Sequence, residues 1–181
     1  ALKDNPVAIK KILAFVSELH NSPLFSFLWA EDVLLLINKY VELGEFGLLK
    51  KQLLTKYHNI NDPSKLNEGD TPIHNMNSIG LKRILNIYKG NEKVLAELLL
   101  TKNDFDEMPL FTQRGESVKV IMEAVKNYPA ILSKMLNNIS KDGFSVIYRA
   151  DASKTQTIID FLKDKPEILI PAILLRSQKN D

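Results

Sequence analysis

The sequence predicts an all-α fold, a helical repeat solenoid of about three to four stacked units. Three observations predict it. First, the slot Asp70-Thr71-Pro72-Ile73-His74 recurs 37 residues on as Glu107-Met108-Pro109-Leu110-Phe111, and 37 further on as Phe144-Ser145-Val146-Ile147-Tyr148. A fixed period of this size marks a stacked array. Second, the same shift superposes apolar positions: Ile84 on Ile121 and Ile158, Leu85 on Met122 and Ile159, Val94 on Ile131 and Ile168, Leu99 on Leu136 and Ile173. Third, no segment alternates apolar and polar residues over more than four positions, so strand pairing is expected only within loops.

Taken in order, Asn5-Pro6 opens a first helix, because proline is tolerated at an early helical position. Ile9, Ile12, Leu13, Val16 and Leu19 follow at helical spacing, and Asn21-Ser22-Pro23 ends it. A short aromatic segment, 24–30, carries Phe25, Phe27 and Trp29, the last expected in the core. Glu31-Asp32 start a second helix with acids in its first turn, where the helix dipole favours them. Its apolar run is 33–37 with Tyr40 and Val41, and Gly44 stops it. A third helix, about 45–55, places Phe46, Leu49, Leu53 and Leu54 on one face. The stretch 56–70 holds Asn59, Asn61, Asp62, Pro63, Ser64 and Gly69 and reads as a long loop.

From Thr71 onward the pattern is regular. Thr71 caps, Pro72 takes the first helical position, and a short helix runs to about Ser78. Gly80 is expected to turn the chain. A second helix carries Leu81, Ile84, Leu85 and Tyr88, and a third, after Gly90-Asn91, carries Val94, Leu95, Leu98 and Leu99. Pro129 and Pro166 each open the corresponding third helix. Earlier, Leu53-Leu54-Thr55-Lys56 reappears as Leu99-Leu100-Thr101-Lys102, but 46 residues on, which assigns nine extra residues to the 56–70 loop. The chain is therefore divided into one domain, 1–181. Residues 1–21 close a truncated unit and 22–66 form a divergent one. Residues 67–103, 104–140 and 141–177 are repeat units, and 178–181 are a tail. The first helix opens as though something precedes it, so a fragment of a longer protein is expected.

Glu68-Gly69-Asp70-Thr71-Pro72-Ile73-His74, with Gly80 and the Ile84-Leu85 pair beyond it, resembles the ankyrin repeat. The next two units are degenerate. Asp106 sits in the glycine slot and Phe111 in the histidine slot of one. Val146 replaces proline and Tyr148 replaces histidine in the other. The resemblance implies a short inner helix and a longer outer helix per unit. It also implies a structural His74 that hydrogen-bonds a turn of its own or a neighbouring unit. Degenerate arrays rich in Lys, Asn and Ile are similar to those of secreted effectors of intracellular bacteria, which implies a cytoplasmic setting, or the host cytoplasm for such an effector.

Composition excludes several functions. The net charge of +2 gives no reason to expect nucleic acid as partner. There is no cysteine, which removes disulfides, thiol nucleophiles and zinc–thiolate sites. No apolar run approaches the ~20 residues that span a bilayer. His20, His58 and His74 are far apart without metal spacing, and no Gly-x-Ser-x-Gly elbow or phosphate-binding glycine loop is present. Asp104, Asp106 and Glu107 lack the glycine and distal glutamate of a calcium loop and read as a solvated loop. Lys10-Lys11, Lys50-Lys51 and Lys82-Arg83 read as outer helix faces. No cofactor, metal or catalytic residue is expected.

The expected function is a protein–protein interaction module, a monomer that binds another protein through inter-unit loops and inner helices. The alternative is the non-catalytic, substrate-positioning arm of a larger enzyme or effector. By the geometry that the resemblance implies, the exposed contact slots are Asn67, Glu68, Asp70 and Ser78 in one unit. They are Asp104, Phe105, Glu107 and Glu116 in the next, and Lys141, Asp142, Phe144 and Ser153 in the last. Phe105 and Phe144 either anchor a partner or tuck under their loops.

Overall fold

The computed structural model describes residues 30–57 and 69–175, with the single position Val7. The first helix, the aromatic segment with Trp29, His20, His58, and most of the 56–70 loop with Asn67 and Glu68 lie outside the described residues. Among the described residues the chain is helical, and its only extended pairing is an isolated bridge between Ile139 and Ser145.

Among the described residues ten helices follow one another. They are α1 (Ala30–Glu42), α2 (Phe46–Leu54), α3 (Pro72–Asn75), α4 (Ser78–Ile87), α5 (Glu92–Leu100), α6 (Pro109–Thr112), α7 (Glu116–Val125), α8 (Pro129–Leu136), α9 (Ala152–Leu162) and α10 (Pro166–Leu174). Their starts follow local chemistry. Proline opens α3, α6, α8 and α10, where its missing N–H costs nothing. The Asn77, Asn91 and Asp151 side chains accept from the N–H groups of Gly80, Val94 and Lys154 at 2.9, 3.1 and 2.8 Å.

The helices pack in three rows. α1 lies on α4, α4 on α7, and α7 on α9; α2 lies on α5, α5 on α8, and α8 on α10; α3 lies on α6. Their apolar stripes interlock into one core running the length of the rows. Ile37, Leu53, Leu81, Ile84, Leu98, Leu99, Ile121, Leu136 and Ile158 are all fully buried in it. Ile84, Ile121 and Ile158, 37 residues apart, lie on α4, α7 and α9 and are all fully buried. Ile173 departs from Leu99 and Leu136, being 50% exposed, because no described helix lies beyond α10.

Four local expectations need correction. α3 ends at Asn75, and the turn is made by Met76 and Asn77; Gly80 is the third residue of α4, not a turn. Gly80 is buried there, and a Cβ would press on Met76 at 3.0 Å, so the close packing favours glycine. Phe46 does not share the buried face of Leu49 and Leu53; it is 45% exposed at the first position of α2, where its carbonyl accepts from the Tyr88 hydroxyl at 2.8 Å. Finally, 145–149 form a hydrogen-bonded turn and not a short helix, with Arg149 N–H donating to Ser145 at 3.2 Å. Val146 lacks the fixed φ that lets Pro72 and Pro109 start a helix.

The loops before α3, α6 and the 145–149 turn share one geometry. Asp70, Glu107 and Phe144 each accept a backbone bond at the loop's closure, from Tyr57 at 2.7 Å, Asn103 at 2.9 Å and Ser140 at 3.0 Å. Thirteen positions separate Tyr57 from Asp70 and four separate Asn103 from Glu107, so the extra nine residues fall inside this first loop. The residue before each acceptor has positive φ: Gly69 at 72°, Asp106 at 59° and Gly143 at 85°.

Candidate functional site

The loop before α6, the segment around the 145–149 turn and the ends of α3 and α6 line a cleft of about 630 Å³. Its floor is a polar network. His74 is buried at the third position of α3. Its Nδ1 accepts from the Thr71 N–H at 3.1 Å and lies 2.9 Å from the Thr71 hydroxyl, while its Nε2 lies 3.0 Å from the Glu107 carbonyl. An N–H pointing at Nδ1 requires a lone pair there, so the proton sits on Nε2 and is donated to Glu107. The ring is thus held neutral. Burial pushes its pKa below the ordinary 6.5, against the opposing pull of Asp70, the hydrogen bonds and Glu107.

Next to it, the Asp70 carboxylate accepts from Asn75 at 2.7 Å and from Asn103 at 2.8 Å. The Asn103 side-chain Oδ1 accepts from the N–H groups of Phe105 and Glu107, both at 2.9 Å, which fixes the loop. The Gln113 amide reaches the carbonyls of Ile73, His74 and Met76 at 2.8, 3.0 and 3.0 Å. These are the carbonyls that the end of a four-residue helix leaves without partners.

The walls carry charge. Arg149 pairs with Glu107 and stands 3.7 Å from Asp142. Lys154 is only 5% exposed, and its Nζ donates to the Phe111 carbonyl at 2.9 Å. Burial lowers its pKa from 10.5 to about 8. Asp151 and Glu107 oppose that shift, and Arg114 and Arg149 add to it. Asn75, Phe105, Phe111, Thr112 and Arg114 complete the lining.

The structure brings together three of the predicted contact residues, Phe105, Glu107 and Asp142, and separates the rest. Asp70 and Glu107 are not exposed, as the expected contact slots require. Asp70 is 2% exposed, and both carboxylates are spent inside the network. For the same reason Glu107 is not part of a solvated acidic loop. Ser78 is half-buried at the start of α4, and Asp104 pairs with Lys56 at 3.0 Å. Glu116 pairs with Lys119 on the outer face of α7. Lys141 and Ser153 are exposed away from the cleft lining, and the Lys141 N–H donates to the Phe105 carbonyl. Phe144 is half-buried and stacks on Tyr148 with centroids 5.0 Å apart, whereas Phe105 is 39% exposed.

The residues missed are Asn75, Arg114, Arg149, Asp151 and Lys154. Two had a signal in the sequence. Lys154 lies four before Ile158 on the stripe that ends at Leu162, and its counterparts 37 and 74 residues back are Ser117 and Gly80, both small and buried. Arg114 stands where the caps Asn77 and Asp151 stand, and an Arg side chain cannot accept the bond that a cap accepts.

Among the described residues no cluster of three His, Asp or Glu side chains is placed to hold a metal ion, and no described helix is long and apolar enough to cross a membrane. Compared with protein-family models, curated proteins and solved structures, the chain matches none.

Proposed function

We propose that this chain is an ankyrin-like array of 37-residue units and that it binds another protein through its loops and short inner helices. The observation that carries the array reading is the recurrence of one loop geometry. The closing hydrogen bond at Asp70, Glu107 and Phe144, and the positive φ one residue earlier, return at the same interval as the apolar stripe. Local backbone chemistry and core periodicity thus agree, which is the mark of a stacked unit.

Binding follows from what the stack leaves over. The outer helices spend their apolar faces on each other. The loops are held rigidly from within by His74, Asn103 and Gln113, so they present side chains without a large ordering cost on association. Phe105 and Tyr148 are loop aromatics left open to solvent, Phe105 at the cleft itself, and exposed aromatics on rigid loops concentrate binding energy. No reaction is assigned: His74 is spent bridging two loops, and Lys154 donates to the Phe111 carbonyl.

The test is affinity capture from a lysate of the source organism or its host with the parent chain, Phe105→Ala and Phe144→Ala, each first shown to be folded by circular dichroism. Loss of a specific captured protein with Phe105→Ala and partial retention with Phe144→Ala is expected. Equal capture by all three removes the loops from the binding surface.

A further inference from the structure

The cleft holds two cations that the array does not need where they stand. Arg114 occupies the slot that Asn77 and Asp151 use to cap α4 and α9, and α7 begins without a side-chain cap. Lys154 occupies the slot that Gly80 and Ser117 fill with small buried residues. A local rule broken without a local gain is where function is grafted onto a scaffold. Both departures fall in one unit-to-unit junction and line one cleft.

Neither cation makes an ion-pair contact among the described residues, although Asp151 and Glu107 act on Lys154 at longer range. Arg149 is engaged by Glu107 and Asp142. Asp151 accepts from the Lys154 N–H. The Lys154 ammonium has a single carbonyl acceptor and no ion-pair partner among the described residues, and the exposed Arg114 side chain has neither a hydrogen-bond nor an ion-pair partner among them. Buried cations are rarely left unpaired. A carbonyl dipole offers a fraction of what a carboxylate would, and the cleft is open to admit one.

We propose that the cleft receives a carboxylate side chain from an acidic peptide segment of the partner, held between Arg114 and Lys154, with a neighbouring apolar side chain against Phe105 and Phe111. This rests on the loop-binding reading above. A carboxylate fits better than a phosphate or a nucleic-acid backbone. Glu107, Asp142 and Asp151 share the lining and repel dense negative charge, whereas a single negative charge matches the two unpaired cations. A second groove, between α4 and α7, is lined by Lys82, Lys89, Lys119 and Lys126, the last two paired with Glu116 and Glu123 at 3.1 and 3.0 Å; all four are exposed and hydrated, whereas Lys154 is buried.

The test uses the whole chain and two dye-labelled, acetylated hexapeptides, one of alternating Glu and Leu and one of alternating Gln and Leu, followed by fluorescence anisotropy at low salt. The Glu peptide is expected to bind about tenfold or more tightly than the Gln peptide, and Arg114→Ala and Lys154→Met each to weaken it by about three- to tenfold, as loss of one charge-assisted hydrogen bond requires. Lys154→Met keeps the buried stem, and a thermal melt shows that it is folded; Arg114→Ala alters only an exposed side chain. Equal binding of the two peptides, unchanged affinity in both variants, or no binding of the Glu peptide at millimolar concentration overturns the proposal. So does displacement of the peptide by inorganic phosphate more readily than by acetate. A failure here leaves the Phe105→Ala capture result standing, because that variant removes no charge.

Discussion

Replacing His74 by Phe puts the whole polar network to the test with little change of shape, since Phe already occupies the equivalent position 111. The substitution removes the acceptor for the Thr71 N–H and hydroxyl and the donor to the Glu107 carbonyl. The Thr71 N–H is then buried without a partner, the Glu107 carbonyl keeps only the Asn103 N–H, and the hydroxyl can turn elsewhere. At ~1–3 kcal/mol for the orphaned donor and ~0.5–1.5 kcal/mol for the bond lost at the carbonyl, the cost is about 2–4 kcal/mol, a large share of the ~5–15 kcal/mol that holds a domain together. Urea unfolding followed by circular dichroism at pH 7.5 measures it. The pH dependence supplies a second, independent check. Because the folded ring resists protonation, the unfolded chain binds a proton first as pH falls through 6.5. The parent therefore loses stability in that direction, by at most about 1.4 kcal/mol per pH unit, and His74→Phe does not. The gap between the two should narrow from pH 7.5 to 5.5. A cost below about 1 kcal/mol, or a gap that stays constant or widens on acidification, refutes the bridging role.

Further outcomes follow from the packing and the loops. Ile121→Ala, in the middle of the core strip, should cost about 3–4 kcal/mol, and Ile168→Ala, near its exposed end, about 2; chemical unfolding in the reverse order contradicts the strip. Gly69→Ala should destabilise by more than about 1 kcal/mol, because a left-handed residue gains a side chain and its Cβ would fall 2.3 Å from Asp104. Asp106→Gly, at the same place one unit on, should stabilise by about 0.5–1 kcal/mol by relieving its positive φ, so matched thermal melts should move in opposite directions. Gln113→Ala should cost about 2–3 kcal/mol by stranding the carbonyls of Ile73 and Met76, while that of His74 keeps the Thr112 hydroxyl, and hydrogen exchange should rise first at the N–H groups of α3 and α4.

The helices were legible because apolar spacing and proline mark them locally. Ile84, Ile121 and Ile158 mark the buried stripe whatever the loops do, and Pro72, Pro109, Pro129 and Pro166 mark starts through backbone geometry alone. His74 was legible as a structural residue because Phe111 and Tyr148 replace it. Less legible was anything decided by contacts across units. Asp70 and Glu107 look like solvated loop acids until Asn103 and Arg149, 33 and 42 residues away in sequence, close on them. Gly80 read as a turn because glycine permits one, yet here it is small so that Met76 can pack. The cleft was hidden for a related reason. Its cations, Arg114 and Lys154, belong to different units, and only their departure from the pattern of Asn77, Asp151, Gly80 and Ser117 betrays them.

The central claim is that a 37-residue stacking unit builds the scaffold and that loops repeated at that interval form its binding face. Removing one whole unit tests it most directly. Deletion of 104–140 joins Asn103 to Lys141 and asks α9 to pack where α7 stood, and α10 where α8 stood. A stack of equivalent units predicts unchanged helicity per residue and a single cooperative unfolding transition at a lower midpoint. A 30-residue deletion from the same start, out of step with the period, should lose both. If the in-step deletion unfolds as completely as the out-of-step one, the 37-residue unit is not the building block, and the account fails with it.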